Sequence, residues 1–152
     1  MQHWMKEFHD FMKGTFSKVI KRKQDAGEIR TEADLQAYSW LLVRRFLSRA
    51  NPKAGFRVFN QFRWAAPRIY PDLVILKRES PWVFIELKRF RDINDQGTKK
   101  RILIERKKLL RARQLAQTVE RTYFVCLFTR KGENAIRPTG KKHVEIHITR
   151  ER

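Results

Sequence analysis

Residues 69 to 88 place the strongest constraint on how this chain can fold. They read Ile-Tyr-Pro-Asp-Leu-Val-Ile-Leu, then Lys-Arg-Glu-Ser-Pro, then Trp-Val-Phe-Ile-Glu-Leu-Lys. Two apolar runs of strand length are joined by residues that favour a turn, a pattern that predicts a β-hairpin. Side chains alternate across a strand with period two. Trp82, Phe84, Glu86 and Lys88 therefore share one face of the second run, and Val83, Ile85 and Leu87 the other. With the hairpin folded symmetrically about Glu79, Asp72 lies opposite Glu86, and opposed residues on one face have Cβ atoms about 5 Å apart. Asp72, Glu86 and Lys88 then form one cluster on a surface that otherwise carries large apolar groups.

Two carboxylates that close repel each other and ionise together only when positive charge sits between them. A divalent metal supplies it: Asp and Glu oxygens suit Mg²⁺, which binds through one or two carboxylates and completes its shell with water and phosphate oxygens. The Lys88 ammonium, two residues beyond Glu86, points at the same pocket. There it can stabilise a bound hydroxide or the charge of a reacting phosphate. The pattern suggests phosphodiester chemistry.

Pro71-Asp72, thirteen intervening residues and Glu86-Leu87-Lys88 also resemble the motif of the PD-(D/E)XK nuclease superfamily, the restriction-endonuclease-like fold. The resemblance covers roughly residues 32 to 129, with an apolar strand around each half of the motif, a helix before it, and a helix and a strand after. It implies an α/β (α+β) fold with an αβββαβ core, a central mixed sheet flanked by helices, and here an extra N-terminal amphipathic helix. It also implies a Mg²⁺- or Mn²⁺-dependent endonuclease, with DNA favoured over RNA. Asp72, Glu86 and the backbone carbonyl of Leu87 are then the metal ligands, and Lys88 orients or helps to deprotonate the attacking water. Members of this superfamily often carry an acid on the helix before the strands; Glu32 is the candidate, with Asp34 behind it. Acids favoured by the dipole of a helix's first turn explain both residues equally well.

The remaining elements follow from periodicity. From His3 to Lys23, Trp4, Met5, Phe8, Phe11, Met12, Phe16, Val19 and Ile20 recur at helical spacing, with an interruption near Gly14. Such an aromatic stripe can bind a membrane or a partner helix, but covering the domain's own core is the favoured reading. Thr31 to Asp34 resembles a capping box with Asp in place of Glu, opening a helix to about Arg49. Phe56, Val58, Phe62 and Trp64 alternate with polar residues in a first strand; its Gln61 lies near the expected pocket, although a solvated strand polar group is the commoner explanation. After the hairpin, a helix over about Thr98 to Thr118 turns Ile102, Leu109, Ala112, Leu115, Ala116 and Val119 inward. Tyr123 to Phe128 reads as an interior strand. The segment Arg130 to Lys142 reads as an exposed basic loop, and Val144, Ile146 and Ile148 as an edge strand. The alternating His143, Glu145 and His147 are read as its solvated face rather than as metal ligands. The chain is thus one domain over 1–152: a helical extension over 1–30, a core over 31–129, and a basic loop and edge strand over 130–152.

Charge narrows the partners. Lys and Arg number 35 against 16 Asp and Glu, a formal charge of +19, which favours a polyanion, nucleic acid first and an anionic membrane surface second. The helix after the hairpin concentrates it: Lys99, Lys100, Arg101, Arg106, Lys107, Lys108 and Arg111 are opposed only by Glu105. Solvated helix faces normally mix signs for i,i+4 pairing, so these residues are the candidate phosphate contacts, positioning a strand without reading its sequence. No apolar run approaches the ~20 residues needed to span a bilayer, and no signal-peptide core precedes the domain. The single cysteine, Cys126, sits in an apolar run and fits a buried core residue in a reducing, cytoplasmic compartment. A metal-dependent nuclease is the leading expectation, as a homodimer or within a larger DNA-processing complex. A nucleic-acid-binding subunit with weak or no cleavage is the alternative, and a membrane-surface protein has the least support.

Overall fold

A computed structural model describes residues 2–50, 52–60, 70–138 and 142–150. Among these residues six strands form one mixed sheet: β1 (Phe56–Asn60), β2 (Leu73–Lys77), β3 (Ser80–Phe90), β4 (Arg121–Lys131), β5 (Ala135–Pro138) and β6 (His143–Arg150), in the spatial order β1-β2-β3-β4-β6-β5. The pairs β1–β2, β2–β3 and β5–β6 are antiparallel, whereas β4 runs parallel to both β3 and β6. The helices are α1 (Gln2–Phe11), α2 (Ser17–Asp25), α3 (Glu32–Ala50) and α4 (Gln96–Leu115). A parallel pair needs a crossover, and α4 provides it between β3 and β4.

Alternation along the central strands splits the core into two layers. Leu73, Ile75, Val83, Ile85, Leu87, Tyr123, Val125 and Leu127 pack with α1, α2 and α3, while Val74, Leu76, Phe84, Phe124, Cys126 and Phe128 pack under α4. The β4 run is buried on both faces, as its unbroken apolar sequence predicts. The N-terminal segment is an integral layer of the core: Phe8, Met12, Phe16 and Ile20 are fully buried. The interruption near Gly14 is one wide π-helical turn over Met12–Phe16, in which the Ser17 hydroxyl donates to the Met12 carbonyl at 2.7 Å. No described helix is long and apolar enough to cross a membrane.

The hairpin forms, with two corrections. Leu73 pairs with Ile85, a register that sets position 72 against 86. Its turn is narrower than the Lys-Arg-Glu-Ser-Pro sequence suggests, because Lys77 already pairs with Ser80 and only Arg78 and Glu79 form the loop, both at positive φ (48° and 71°). Primed two-residue turns require that conformation because it matches the strand twist. A register shift at Ile75/Leu76 reconciles the two ends, and it moves Trp82 off the Phe84–Glu86 face. Trp82 instead packs on Phe8 and Phe56 at ring distances of 5.8 and 4.7 Å.

Three further expectations change. β6 is interior rather than at the edge, because residues read as an exposed loop fold into β5 and cover it. His143, Glu145 and His147 are therefore buried rather than solvated. Helix α4 ends three residues early, so Leu115 is exposed, while Ala116 and Val119 reach the core from the loop beyond. The predicted continuation of the first strand through Gln61, Phe62 and Trp64 lies outside the described residues.

Candidate active site

Helix α3 is fixed at its start by the predicted reciprocal cap. The Asp34 carboxylate accepts from the Thr31 and Arg30 backbone N–H groups at 2.9 and 2.8 Å, and the Thr31 hydroxyl accepts from the Asp34 N–H at 3.1 Å. Asp34 is thereby spent on the cap, and of the two acids it is Glu32 that faces the hairpin. The Lys88 ammonium lies 3.0 Å from Glu32 Oε1 and 3.4 Å from Glu86 Oε1. Glu86 Oε2 accepts from the Asp72 backbone N–H at 3.3 Å, and Asp72 Oδ2 accepts from the Leu87 N–H at 2.7 Å. Asp72, Glu86, Lys88 and Glu32 thus converge at the end of the hairpin away from its turn. Gln36 joins them, its side-chain amide donating to Asp72 Oδ1 at 2.8 Å. The sequence does hold a signal for Gln36: it follows Glu32 by four residues, one helical turn along the same face.

The electrostatics of this cluster are unbalanced. Burial pushes Asp72 up to about 6, against the pull of the Leu87 N–H and the Lys88 charge. Burial and then the neighbouring Asp72 push Glu86 up to about 8. At Lys88, burial alone would lower the pKa, but Glu86, Glu32 and Asp72 together outweigh it and hold the amine firmly protonated. Lys88 is therefore a fixed positive charge in this environment rather than a proton acceptor. With every group ionised, three carboxylates face one ammonium.

That donor set suits a hard divalent cation. Asp72 and Glu86 offer oxygen ligands from opposed positions, and the charge they lack is what a cation supplies. Among the described residues no group of three or more His, Cys, Asp or Glu side chains is arranged to hold a metal. The protein's share of a coordination shell would then be these two carboxylates with main-chain oxygen such as the Leu87 carbonyl, and water and phosphate would complete it, as Mg²⁺ prefers.

The basic helix divides into residues that face outward and one that turns inward. Lys99, Lys100, Arg101, Lys107, Lys108 and Arg111 are exposed along α4. The Lys108 amine lies 3.6 Å from Glu105, and the Arg101 guanidinium sits 5.4 Å from the Phe90 ring centroid. Arg106 must leave the phosphate-contact group. Its guanidinium turns inward and donates through two nitrogens to Glu145, which is 1% exposed. His143 Nε2 and His147 Nε2 lie 3.6 and 3.4 Å from the same carboxylate. Burial alone would raise Glu145, but these partners outweigh it and hold the acid well below the ordinary range. Cys126 is fully buried, and burial followed by the Glu145 charge pushes its thiol well above its usual pKa, as expected of an inert core residue. No protein-family model matches the sequence, and no curated protein matches it at a significant level.

Proposed function

We propose that this protein is a metal-dependent nuclease that hydrolyses phosphodiester bonds, in DNA rather than RNA, with a PD-(D/E)XK-like site. The observation that carries this reading is the convergence of Asp72, Glu86, Lys88 and Glu32 in a pocket with two more acidic than basic groups. In a chain of formal charge +19, a local surplus of buried acid has no evident structural purpose. Buried charge is costly unless paired, and perturbed carboxylates cluster where chemistry is done. The order α3-β1-β2-β3-α4-β4 supports the finer fold assignment, since it follows the αβββαβ arrangement that the motif implies.

Mg²⁺ or Mn²⁺ held by Asp72, Glu86 and the Leu87 carbonyl would supply Lewis-acid stabilisation of the scissile phosphate and a more acidic water. Gln36 and the Leu87 N–H fix the Asp72 carboxylate in one orientation. Lys88, held by Glu32, presents an ammonium that orients the attacking water and offsets charge on the phosphate. The exposed lysines and arginines of α4 hold the nucleic-acid backbone. One site cuts one strand at a time, so double-strand cleavage would take a second copy or a larger complex.

The test is a panel of supercoiled, linear, branched and single-stranded DNA, with matching RNA, incubated with Mg²⁺, Mn²⁺ or a chelator beside the Lys88→Ala protein. Cation-dependent cleavage that disappears in Lys88→Ala supports the proposal. Tight binding with no cleavage under any cation would replace the nuclease by the binding-subunit alternative.

A further inference from the structure

The stripe of α3 that carries Glu32 and Gln36 continues away from the pocket through Trp40 and Arg44, each four residues on. Residues so spaced are neighbours on a helix surface, with a rise of about 6 Å per step. Beside them, between α3 and the edge strand β1, lies a groove of about 560 Å³ lined by Trp40, Arg44, Leu47, Phe56, Arg57 and Phe59. The Arg44 guanidinium sits 4.9 Å from the Trp40 ring centroid. Arg44 and Arg57 are exposed, and the Glu79 carboxylate lies 3.8 Å from the Arg57 guanidinium.

We propose that this groove seats an unpaired stretch of the nucleic-acid strand leading away from the pocket, with a base stacked in the Trp40–Arg44 layer and phosphates on Arg44 and Arg57. Single-strand sites combine a cationic track for the backbone with aromatic faces for the bases. A paired base inside a duplex has no free face to offer such a groove. Continuity sets the spacing: Trp40 lies about 12 Å along the helix from Glu32, two to three nucleotides at about 3.4 Å or more per nucleotide. The identity of the pocket as a cleavage site rests on the nuclease reading, but binding in the groove does not. The substrate class this adds is nucleic acid with a single-stranded segment beside the cut, such as a flap, an overhang or an opened junction.

The experiment measures binding in chelator, where cleavage is silent. Labelled single-stranded and duplex oligonucleotides, as DNA and as RNA, are titrated with the native protein and with Arg44→Glu, Trp40→Ala and Lys88→Ala. A single-stranded oligonucleotide carrying 5-iodouracil is photocrosslinked to the native protein, and the adduct is mapped by mass spectrometry. Arg44→Glu and Trp40→Ala should each weaken single-strand binding about tenfold, the scale of unstacking one base from an aromatic face, while duplex affinity changes less than about twofold. The crosslink should fall on the peptide carrying Trp40. Equal losses for both substrates, or crosslinks confined to α4, would overturn the groove. Should Trp40→Ala fail to fold, the exposed Arg44→Glu and the native crosslink still decide. Native cleavage together with an unaffected Arg44→Glu sinks this inference alone, whereas groove binding with no cleavage sinks the nuclease reading alone. The DNA and RNA arms identify which strand the groove prefers.

Discussion

In the absence of divalent cation the protein should lose stability as pH rises from about 5 to about 8, and Glu86→Gln should abolish most of that loss. The folded state raises Glu86 from 4.5 to about 8 because burial and the adjacent Asp72 disfavour its charge. A carboxyl whose folded pKa lies above its unfolded one keeps its proton in the native state after the unfolded chain has released it. Stability then falls with rising pH, beginning near the unfolded pKa and levelling off above the folded one. Each unit of difference is worth about 1.4 kcal/mol, so the interval from 4.5 to about 8 corresponds to on the order of 5 kcal/mol. Asp72, raised from 3.8 to about 6, acts in the same direction over the lower part of that range. Lys88 does not contribute in this window, because a raised amine adds stability that is lost only at alkaline pH.

The measurement is urea denaturation followed by tryptophan fluorescence, in chelator, at several pH values across this range. With urea m-values of about 1–3 kcal/mol per molar, the wild-type midpoint should fall by roughly 2 M between the extremes. Glu86→Gln keeps the shape of the side chain and loses its titration, so its midpoint should fall only by the smaller share that Asp72 contributes at the lower end of the range, and exceed the wild type at the alkaline end. Millimolar Mg²⁺ should restore the wild type there and do little near pH 5, since a cation competes with the protons for the same oxygens. A wild-type profile parallel to that of Glu86→Gln, or a Mg²⁺ effect independent of pH, would refute the reasoning.

Other perturbations follow from particular side-chain pairings. Arg106→Met should cost about 3–5 kcal/mol by denaturant unfolding, since it strands the buried Glu145 charge; Arg106→Met with Glu145→Gln should recover much of the loss. Arg78→Asn with Glu79→Gly should stabilise the protein by about 1–2 kcal/mol, seen as a higher melting temperature, because both positions hold positive φ without a residue suited to it. Charge reversal at Lys99, Lys100 and Lys107 should lower nucleic-acid affinity irrespective of sequence and reduce the slope of log affinity against log salt by about 0.9 for each phosphate no longer neutralised. The same reversal at Arg106 should act through stability instead.

Legibility in the sequence followed how local each determinant is. The pairing of position 72 with 86, the cap at Thr31, the buried β4 run and the core-facing stripe of the first helix depend on periodicity or on neighbours a few residues away. All four were readable. What failed needed information from distant chain. β6 alternates like an edge strand, and only β5, drawn from a basic stretch with loop-like composition, makes it interior. Arg106 differs from Lys107 in sequence by nothing that announces a partner, yet the crossover places it over Glu145, thirty-nine residues on. Trp82 kept the expected strand but changed face, since a one-residue shift inverts the alternation. At the candidate site, three residues followed from the hairpin pattern, and Glu32 rested on the family resemblance. Gln36 was missed because a helical glutamine is ordinary until Asp72 is placed beside it.

The partly buried Glu86 and the buried Glu145, both on the α4 side of the sheet, show why the hairpin pocket reads as a site and the β6 cluster does not. Glu86 and Glu145 both pair in register with Phe124 of β4, so they occupy equivalent rows on either side of one strand. Glu145 receives a two-nitrogen bond from Arg106 and is flanked by two imidazoles; its charge is compensated, and it is held ionised. Glu86 shares one ammonium with Glu32 and lies beside Asp72, and it is driven toward its neutral form. The same sheet therefore neutralises one buried acid completely and leaves the other short of positive charge. If Glu86 served packing alone, a guanidinium from α4 at Glu105, beside Arg106, would complete it as Arg106 completes Glu145. The chain instead places a further acid there, one that also pushes Glu86 upward. On the proposed reading, that deficit is met by the charge of a bound cation, and Glu105→Arg tests it: filling the deficit should lower the Glu86 pKa, stabilise the cation-free protein at alkaline pH and weaken Mg²⁺ binding. Mg²⁺ affinity unchanged by that substitution would show that the imbalance has no bearing on the cation.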